Sequence, residues 1–268
     1  MADKIDFTLL ITITACVLFF LMVAVSELGR RIGLNRIAND PKGLAEGIGA
    51  AEGAVFALLG LVIAFTFSGA ATRLEERRDL ITEEANAIGT AYLRIDLLSK
   101  EAQPEIPELF RTYTGVRATI YEDRANKPLM KVKQNKVADL QTRIWRLSLA
   151  ASRLPDASPQ ATMLLIPALN EMIDITTTRE MATKNHPPVQ IYILLYGLSF
   201  IGALLVGYSM SVNKERSWLH ILSFSAVMSL AIYVIVDLEY PRLGIIKVDT
   251  SDQVLFDLQK SIEAEHSD

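Results

Sequence analysis

The chain has 268 residues, 50% hydrophobic and 22% charged, with a mean hydropathy of +0.26, a balance that excludes an ordinary soluble domain of this size. Its 27 basic and 31 acidic residues leave a net charge of −4, so no basic excess is available to build a nucleic-acid surface. A single cysteine excludes an internal disulfide framework.

Four apolar runs, Phe7 to Val25, Ile48 to Gly69, Val189 to Met210 and Trp218 to Val236, each approach the roughly 20 residues a helix needs to cross hydrocarbon. The first contains "ITAC", which has the look of a lipoprotein cleavage box ending at Cys16. The apolar stretch before the cysteine is short and "VLFFLMVAV" continues it, so a retained membrane helix is expected, with Cys16 as a small packing residue. Four spans put both termini and residues 73–188 on one side. Lys4, Arg73, Arg77, Arg78, Arg179, Lys184, Arg242 and Lys247, weighed against Arg30, Arg31, Arg36, Lys42, Lys214 and Arg216, make that side cytoplasmic. The expected division is a first helix pair over 1–72, a cytoplasmic helical domain over 73–188, a second pair over 189–237 and a cytoplasmic tail over 238–268.

In the second span, Gly49, Gly53 and Ala57, then Gly60, Ala64 and Ser68, repeat small side chains every four residues. Such rows permit close helix packing, either in a seam within the chain or around a pore lined by several subunits. Ala57, Leu61 and Phe65 form a further row, suited to an apolar constriction that gates by excluding water, or to facing lipid. Glu52 stands about 6 Å inside the span. It either reaches the headgroup layer or rings a pore entrance and draws cations. Glu27 and Asp237 read as boundary residues at other helix ends, and His220 and Trp218 as interfacial anchors.

Arg73, Arg77 and Arg78 mark the exit from the second span, and the helix then continues into the middle segment. That segment is a nearly neutral mixture of 17 basic and 16 acidic residues. Leu74, Ile81, Ala85, Ile88, Tyr92 and Ile95 set one apolar side, while Glu75–Glu76 and Glu83–Glu84 are read as a solvated face. After Pro104 and Pro107 come Leu109, Phe110, Tyr113, Val116, Ile120 and Tyr121, and Pro128 then breaks the chain before "KVKQNKVADLQTRIWRLSLAAS". Ser158 is a suitable N-cap with Pro159 at the first helical position, ahead of Leu165, Leu169, Met172, Ile173 and Met181, with Pro167 as a kink point.

The third span holds Gly197, Gly202 and Gly207, which permit close packing without forming one stripe. The serines of the fourth, Ser217, Ser223, Ser225 and Ser229, read as helix-packing hydroxyls, with ion coordination as the alternative. "DLEYPRLGIIKVD" is turn-like. Ser251 then caps a short helix whose apolar side is Val254, Leu255, Leu258 and Ile262, expected to dock on the bundle. His186, His220 and His266 are isolated, and no ligand spacing, phosphate loop or nucleophile elbow is present, so no enzyme activity, cofactor or metal is expected.

Through "LLGLVIAFTFSGAATRLEERR", "EEANAIGTAYLR" and "DLEYPRLGIIKVD" the chain resembles the bacterial bestrophin-like membrane proteins, and more distantly the bestrophin channels. The resemblance implies five subunits around an axial pore, the second helix lining it, and cytoplasmic termini. In the channels a Gly-Phe pair precedes an Arg eight residues past the Phe, often followed by Trp. Here Phe65 and Arg73 keep that spacing, whereas Ala64 and Leu74 replace the other two. The apolar neck positions fall on Ala57, Leu61 and Phe65, of which Ala57 is too small to constrict strongly. No counterpart of the bestrophin calcium-binding acidic cluster is present, and calcium activation is not expected.

The expected protein is thus an all-α, multi-pass protein of the bacterial inner membrane, with four transmembrane helices and a helical bundle inserted between the second and third. Its expected function is passive ion movement through a homo-oligomeric, pentameric pore, with a cation preference from Glu52. Its partners would be membrane lipids, inorganic ions and its own copies, without nucleic acid. The alternative is a membrane-anchored structural or signalling scaffold that recruits a cytoplasmic partner.

Overall fold

A computed structural model of the chain describes residues 2–39, 48–99, 105–120, 127–212, 216–246 and 248–265. Lys42, Pro104, Tyr121, Lys214, Lys247 and His266, singled out above, lie outside those residues. Every regular element among the described residues is helical: α1 (Ala2–Asn39), α2 (Ile48–Leu93), α3 (Glu105–Thr119), α4 (Lys127–Ala151), α5 (Ala161–Lys184), α6 (Val189–Ser209), α7 (Trp218–Glu239) and α8 (Asp249–Glu265). Among the described residues four stretches hold a window long and apolar enough to cross a membrane: Phe7–Ala38 in α1, Gly49–Leu97 along α2, Ala161–Val212 through α5 and α6, and Trp218–Glu239, which is α7. The fold is therefore an all-α membrane protein with a helical bundle inserted between the second and third spans.

The chain divides into two compact units, Met1–Leu74 with His186–Lys247, and Glu75–Asn185 with Val248–Asp268. Helix α2 contributes its first part to one unit and its second part to the other. The segment after α7 is shared likewise: 240–246 stays with the spans, and 248–265 joins the bundle.

In the span unit, α1 packs along α6 and α7. Helix α1 is longer than its apolar run, continuing through Glu27, Arg30, Arg31 and Arg36 to Asn39. Glu27 is therefore not at a helix end. Its Oε1 accepts from Arg31 Nε one turn on (3.3 Å) and from Arg216 Nη2 ahead of α7 (3.0 Å).

The close small-residue crossing lies between α1 and α6. A Cβ at Gly29 would strike the Leu204 carbonyl, one at Gly33 would strike Ser211, and one at Gly207 would strike the Ser26 carbonyl. Gly202 meets Phe224, Leu59 and Phe56 at 3.1, 3.3 and 3.4 Å, whereas Gly197 faces open space. Met22, Leu195, Ile221 and Ile232 fill the layer between the helices. Ser225 and Ser229 are buried in the same packing, with Ser229 Oγ 4.0 Å from Met22 Sδ.

In the bundle, the apolar side of α2 forms as its spacing predicts: Ile81, Ala85, Ile88, Tyr92 and Ile95 are all buried. Leu109, Phe110 and Tyr113 of α3, Val137, Leu140 and Ile144 of α4, Leu165, Leu169 and Met172 of α5, and Leu255 and Ile262 of α8 are buried in the same unit, with the Tyr92 and Phe110 rings edge-on at 5.8 Å. Each fully buried side chain of this size stabilises by about 1.5–3 kcal/mol. Met181 and Val254, expected on apolar sides, are exposed.

Pro128 does not break the chain ahead of Lys131 but falls in the first turn of α4, where a missing N–H is harmless. Helix α5 begins at Ala161 with Gln160 as its N-cap, so Ser158 and Pro159 fall in the turn ahead of it, where Ser158 Oγ accepts the Gln160 N–H at 3.4 Å and the Ser158 carbonyl accepts that of Ala161 at 2.9 Å. The helix runs through Pro167 to Lys184. Helix α8 begins at Asp249, leaving Ser251 inside the helix rather than at its cap.

Glu84 departs from the solvated face assigned to the paired glutamates. Glu75, Glu76 and Glu83 are exposed, but Glu84 is 0% exposed. Its Oε1 accepts from Arg117 Nε, and its Oε2 accepts from Arg117 Nη2 (2.9 Å) and from Arg179 Nη1. Arg179 Nη2 also lies 3.7 Å from Asp252 of α8. Burial pushes the Glu84 carboxyl up, but Arg117 and Arg179 outweigh it and hold the group below the ordinary carboxylate range. The physical reason was in the helix period: Glu84 stands three residues after Ile81 and four before Ile88, on the apolar side.

Candidate functional site

At about 100° per residue, Gly49, Gly53, Ala57, Gly60, Leu61, Ala64, Phe65 and Ser68 all fall within one face of α2 spanning about 160°. All eight are exposed, Leu61 at 50% and Phe65 at 69%. Gly49, Gly53 and Gly60 have nothing within 4 Å of where a Cβ would stand. The small-residue rows of the second span therefore do not make a seam within the chain. They leave a smooth apolar face with Ala57, Leu61 and Phe65 rising along one edge.

The opposite flank of α2 does the packing. Leu59 and Ala70 are buried there, and Phe56 sets its ring edge-on to Phe224 of α7 at 5.9 Å. Glu52 is one turn before Phe56 and about half a turn around from Leu61, so it belongs to this flank. Its Oε1 is buried without a hydrogen-bond partner among the described residues. The neck candidates are thus brought together on one face, and the entrance candidate is not brought onto it.

The exit candidates also separate. Arg73 Nε and Nη2 both donate to Glu239 Oε1, the former at 2.8 Å. Arg77 is 8% exposed and donates from Nε and Nη2 to the Ala182 and Asn185 carbonyls, each at 3.0 Å, satisfying the end of α5. Arg78 is exposed. The Arg73 and Arg77 guanidiniums therefore spend these hydrogen bonds inside the protein.

Sequence reading missed the cluster around Arg73. The Glu239 side chain is 0% exposed, and its Oε2 lies 3.3 Å from His186 Nδ1. His186 in turn stacks on Tyr240 with ring centroids 4.7 Å apart. Asp237, read as a boundary residue, is 1% exposed instead. Its two carboxylate oxygens accept the N–H groups of Ile245 and Ile246, each at 2.9 Å. A Cβ at Gly244 would strike that carboxylate, so the turn after α7 needs glycine at this point. Thr8 Oγ1 donates to the Leu243 carbonyl at 3.1 Å, tying the start of α1 to the turn. The available signal was "DLEYPRLGIIKVD", where two acids close an apolar helix just before a Pro and a Gly.

Among the described residues no group of three or more His, Cys, Asp or Glu could hold a metal ion. The arrangement offers paired, buried charges and an open apolar helix face.

A family defined by the bestrophin-like domain matches residues 16–253. Among solved structures, a bacterial bestrophin homolog from Klebsiella pneumoniae carrying a single mutation is 12% identical, with a TM-score of 0.67 over 91% of this chain and 99% of that one. A second structure of a Klebsiella pneumoniae bestrophin homolog, phased on zinc, is 13% identical with a TM-score of 0.65 over 91% and 98%. A structure described as a membrane protein is 14% identical, with a TM-score of 0.67 over 92% and 98%. Comparison with curated proteins returned no match.

Proposed function

The chain belongs to the bestrophin-like family, and on that premise we propose that several copies assemble around an axis lined by α2 and let ions pass down their electrochemical gradient. The protein is a multi-pass protein of the bacterial inner membrane, and the proposed assembly is a homo-oligomer, a pentamer by analogy with the bestrophin channels. One observation carries the reading: the open face of α2. Gly29 and Gly33 of α1 and Gly202 and Gly207 of α6 are held in close packing, but Gly49, Gly53 and Gly60 leave α2 bare where a neighbouring copy or a water column would lie. In this arrangement Leu61 and Phe65 form the apolar neck, Ala57 leaves it wide at one end, and dewetting of the neck supplies the gate.

The finer proposals concern charge and orientation. Glu52, a carboxylate near one end of α2, favours cations through space from behind the lining face. Arg78, just inside the bundle part of α2, marks the exit from its span part, and the bundle faces the cytoplasm. No covalent step is involved.

The test is ion flux in proteoliposomes loaded with purified protein. Flux is expected, rising in Phe65→Ala as the neck widens and shifting toward anions in Glu52→Gln. In a Cys16→Ser background, Phe65→Cys is expected to react with a charged thiol reagent and to lose flux once modified. Correctly assembled protein that passes no ion under several gradients, and whose Cys at 65 is inert to the reagent, ends the pore reading. Recovery of one stable cytoplasmic partner by that same inactive protein would support the scaffold.

A further inference from the structure

Within the bundle unit, α3, α4 and α5 line a cavity of about 260 Å³. Gln134, Val137, Ala138 and Gln141 of α4 recur at helical spacing along one wall, and Thr176, Glu180 and Lys184 of α5 do so along another. Arg117 of α3 and Ile120 just past it complete the lining. The volume falls just below the roughly 300–1,000 Å³ of drug-sized pockets, so it suits a small solute.

A hydrogen-bonded bridge joins the three helices at one end of this cavity. Gln141 Nε2 donates to Tyr113 Oη and to Thr176 Oγ1, each at 3.3 Å. Thr176 Oγ1 gives its own hydrogen to the Ile173 carbonyl at 2.7 Å, so toward Gln141 it only accepts, which fixes the orientation of that amide. Both amide hydrogens are then spent, and Gln141 Oε1 accepts nothing among the described residues. Glu180 stands one turn past Thr176, and its Oε2 likewise accepts nothing among them.

Donors gather one to two turns further along. Ser152 meets Thr162 and Gln141 meets Thr176, so α4 and α5 run antiparallel and Gln134 comes level with Lys184. Gln134 makes no hydrogen bond among the described residues. Lys184 Nζ reaches back to Glu180 Oε1 at 2.5 Å, in a pair whose side chains are 60% and 45% exposed. An ion pair this wet contributes little and opens readily.

Charge narrows the ligand. Beside the cavity Arg117 and Arg179 face Glu84 and Asp252, and at its mouth Lys184 faces Glu180, so both signs are balanced. Such a lining gives no net attraction to a plain cation or anion, but it serves a molecule that carries one charge of each sign. An ammonium fits the acceptors Gln141 Oε1 and Glu180, and a carboxylate fits the donors Lys184 Nζ and the Gln134 amide. One solvated pair is thereby exchanged for two charge-assisted contacts in a sheltered site. Ile120 and Val137, both buried, leave an apolar wall beside them with Met130 and Ala138.

We propose that this cavity binds a free α-amino acid with an aliphatic side chain, held as its zwitterion. The site is independent of the pore reading.

The experiment titrates full-length protein in detergent with L-leucine and follows binding by saturation-transfer NMR. Saturable binding is expected, with the leucine methyl groups receiving the most saturation. Isoamylamine, which lacks the carboxylate, isocaproate, which lacks the ammonium, and glycine, which lacks the side chain, should each bind at least about tenfold more weakly. Glu180→Gln and Lys184→Gln alter only an exposed pair and should weaken leucine by a similar factor. Ala138→Trp, at an exposed position on the lining, fills the cavity and should abolish binding. No saturable binding of L-leucine, equal affinity for any of the three analogues, or wild-type affinity in Glu180→Gln and Lys184→Gln overturns the proposal. Wild-type affinity in folded Ala138→Trp also overturns it, by placing the leucine elsewhere; should that variant fail to fold, the two glutamine variants decide.

Discussion

Replacing Glu84 with alanine should loosen the bundle more than any surface change of similar size. The carboxylate is 0% exposed and is met by Arg117 and Arg179, each 4% exposed. Glu84→Ala therefore leaves two buried guanidiniums facing an apolar gap. Breaking a buried pair from one side typically costs about 3–5 kcal/mol. Against a net domain stability of about 5–15 kcal/mol, that is a large share. Hydrogen exchange by mass spectrometry, on protein held in lipid nanodiscs, reads the loss directly: 3 kcal/mol raises the open population about 150-fold. The amides of Ile81–Tyr92, of α3 and of α5 should exchange faster by about that factor, while those of α6 and α7 hold. If the bundle amides stayed within about threefold of wild type, a loss below about 0.7 kcal/mol, the network would not be what holds these helices.

The same carboxylate sets a pH dependence. A folded-state pKa held below the usual value contributes stability that is present above about pH 4.3 and is lost as pH falls through the depressed value. Bundle protection in wild type should therefore drop on acidification below about pH 4, and Glu84→Gln should flatten that drop; an unchanged profile would contradict the assignment. Asp237→Ala strips partners from the Ile245 and Ile246 N–H groups, at about 1–3 kcal/mol each, so exchange at those two amides should rise by tenfold or more. Gly207→Val drives a side chain into the Ser26 carbonyl and should lower the thermal midpoint of the purified protein, whereas Gly53→Val meets open space and should spare that midpoint while weakening the oligomer in cross-linking. Equal effects of the two valines would remove the distinction between the covered and the open small-residue faces.

The four spans were legible because length and apolarity alone mark them, and the bundle side of α2 because Ile81, Ala85, Ile88 and Tyr92 repeat at helical spacing. Ala57, Leu61 and Phe65 were legible as one edge for the same reason. What escaped was partnership across the chain. Arg73 was read as an exit charge because its counterion, Glu239, lies 166 residues away. Glu84 was read as solvated by its neighbours in sequence, although its helical phase pointed inward. The small-residue rows of α2 are more regular than Gly29, Gly33 and Gly207, yet the latter make the close crossing: spacing says which backbones are able to approach, while contact depends on which helix arrives.

That crossing bears on biosynthesis. Roughly 180 residues separate Gly29 from Gly207, and at about 5–20 residues per second α6 emerges about 10–35 seconds after α1. Throughout that interval α1 resides in the bilayer with its grooved flank against lipid. Apolar side chains cover the span on its other sides, with Leu9, Leu10, Ile13, Val17 and Phe20 outward in the finished fold, so α1 is a stable membrane helix before it has a neighbour. Ser26, Gly29 and Gly33 then act late: their contribution begins only when the third span is inserted, making completion of α6 the checkpoint at which the spans become one folded unit.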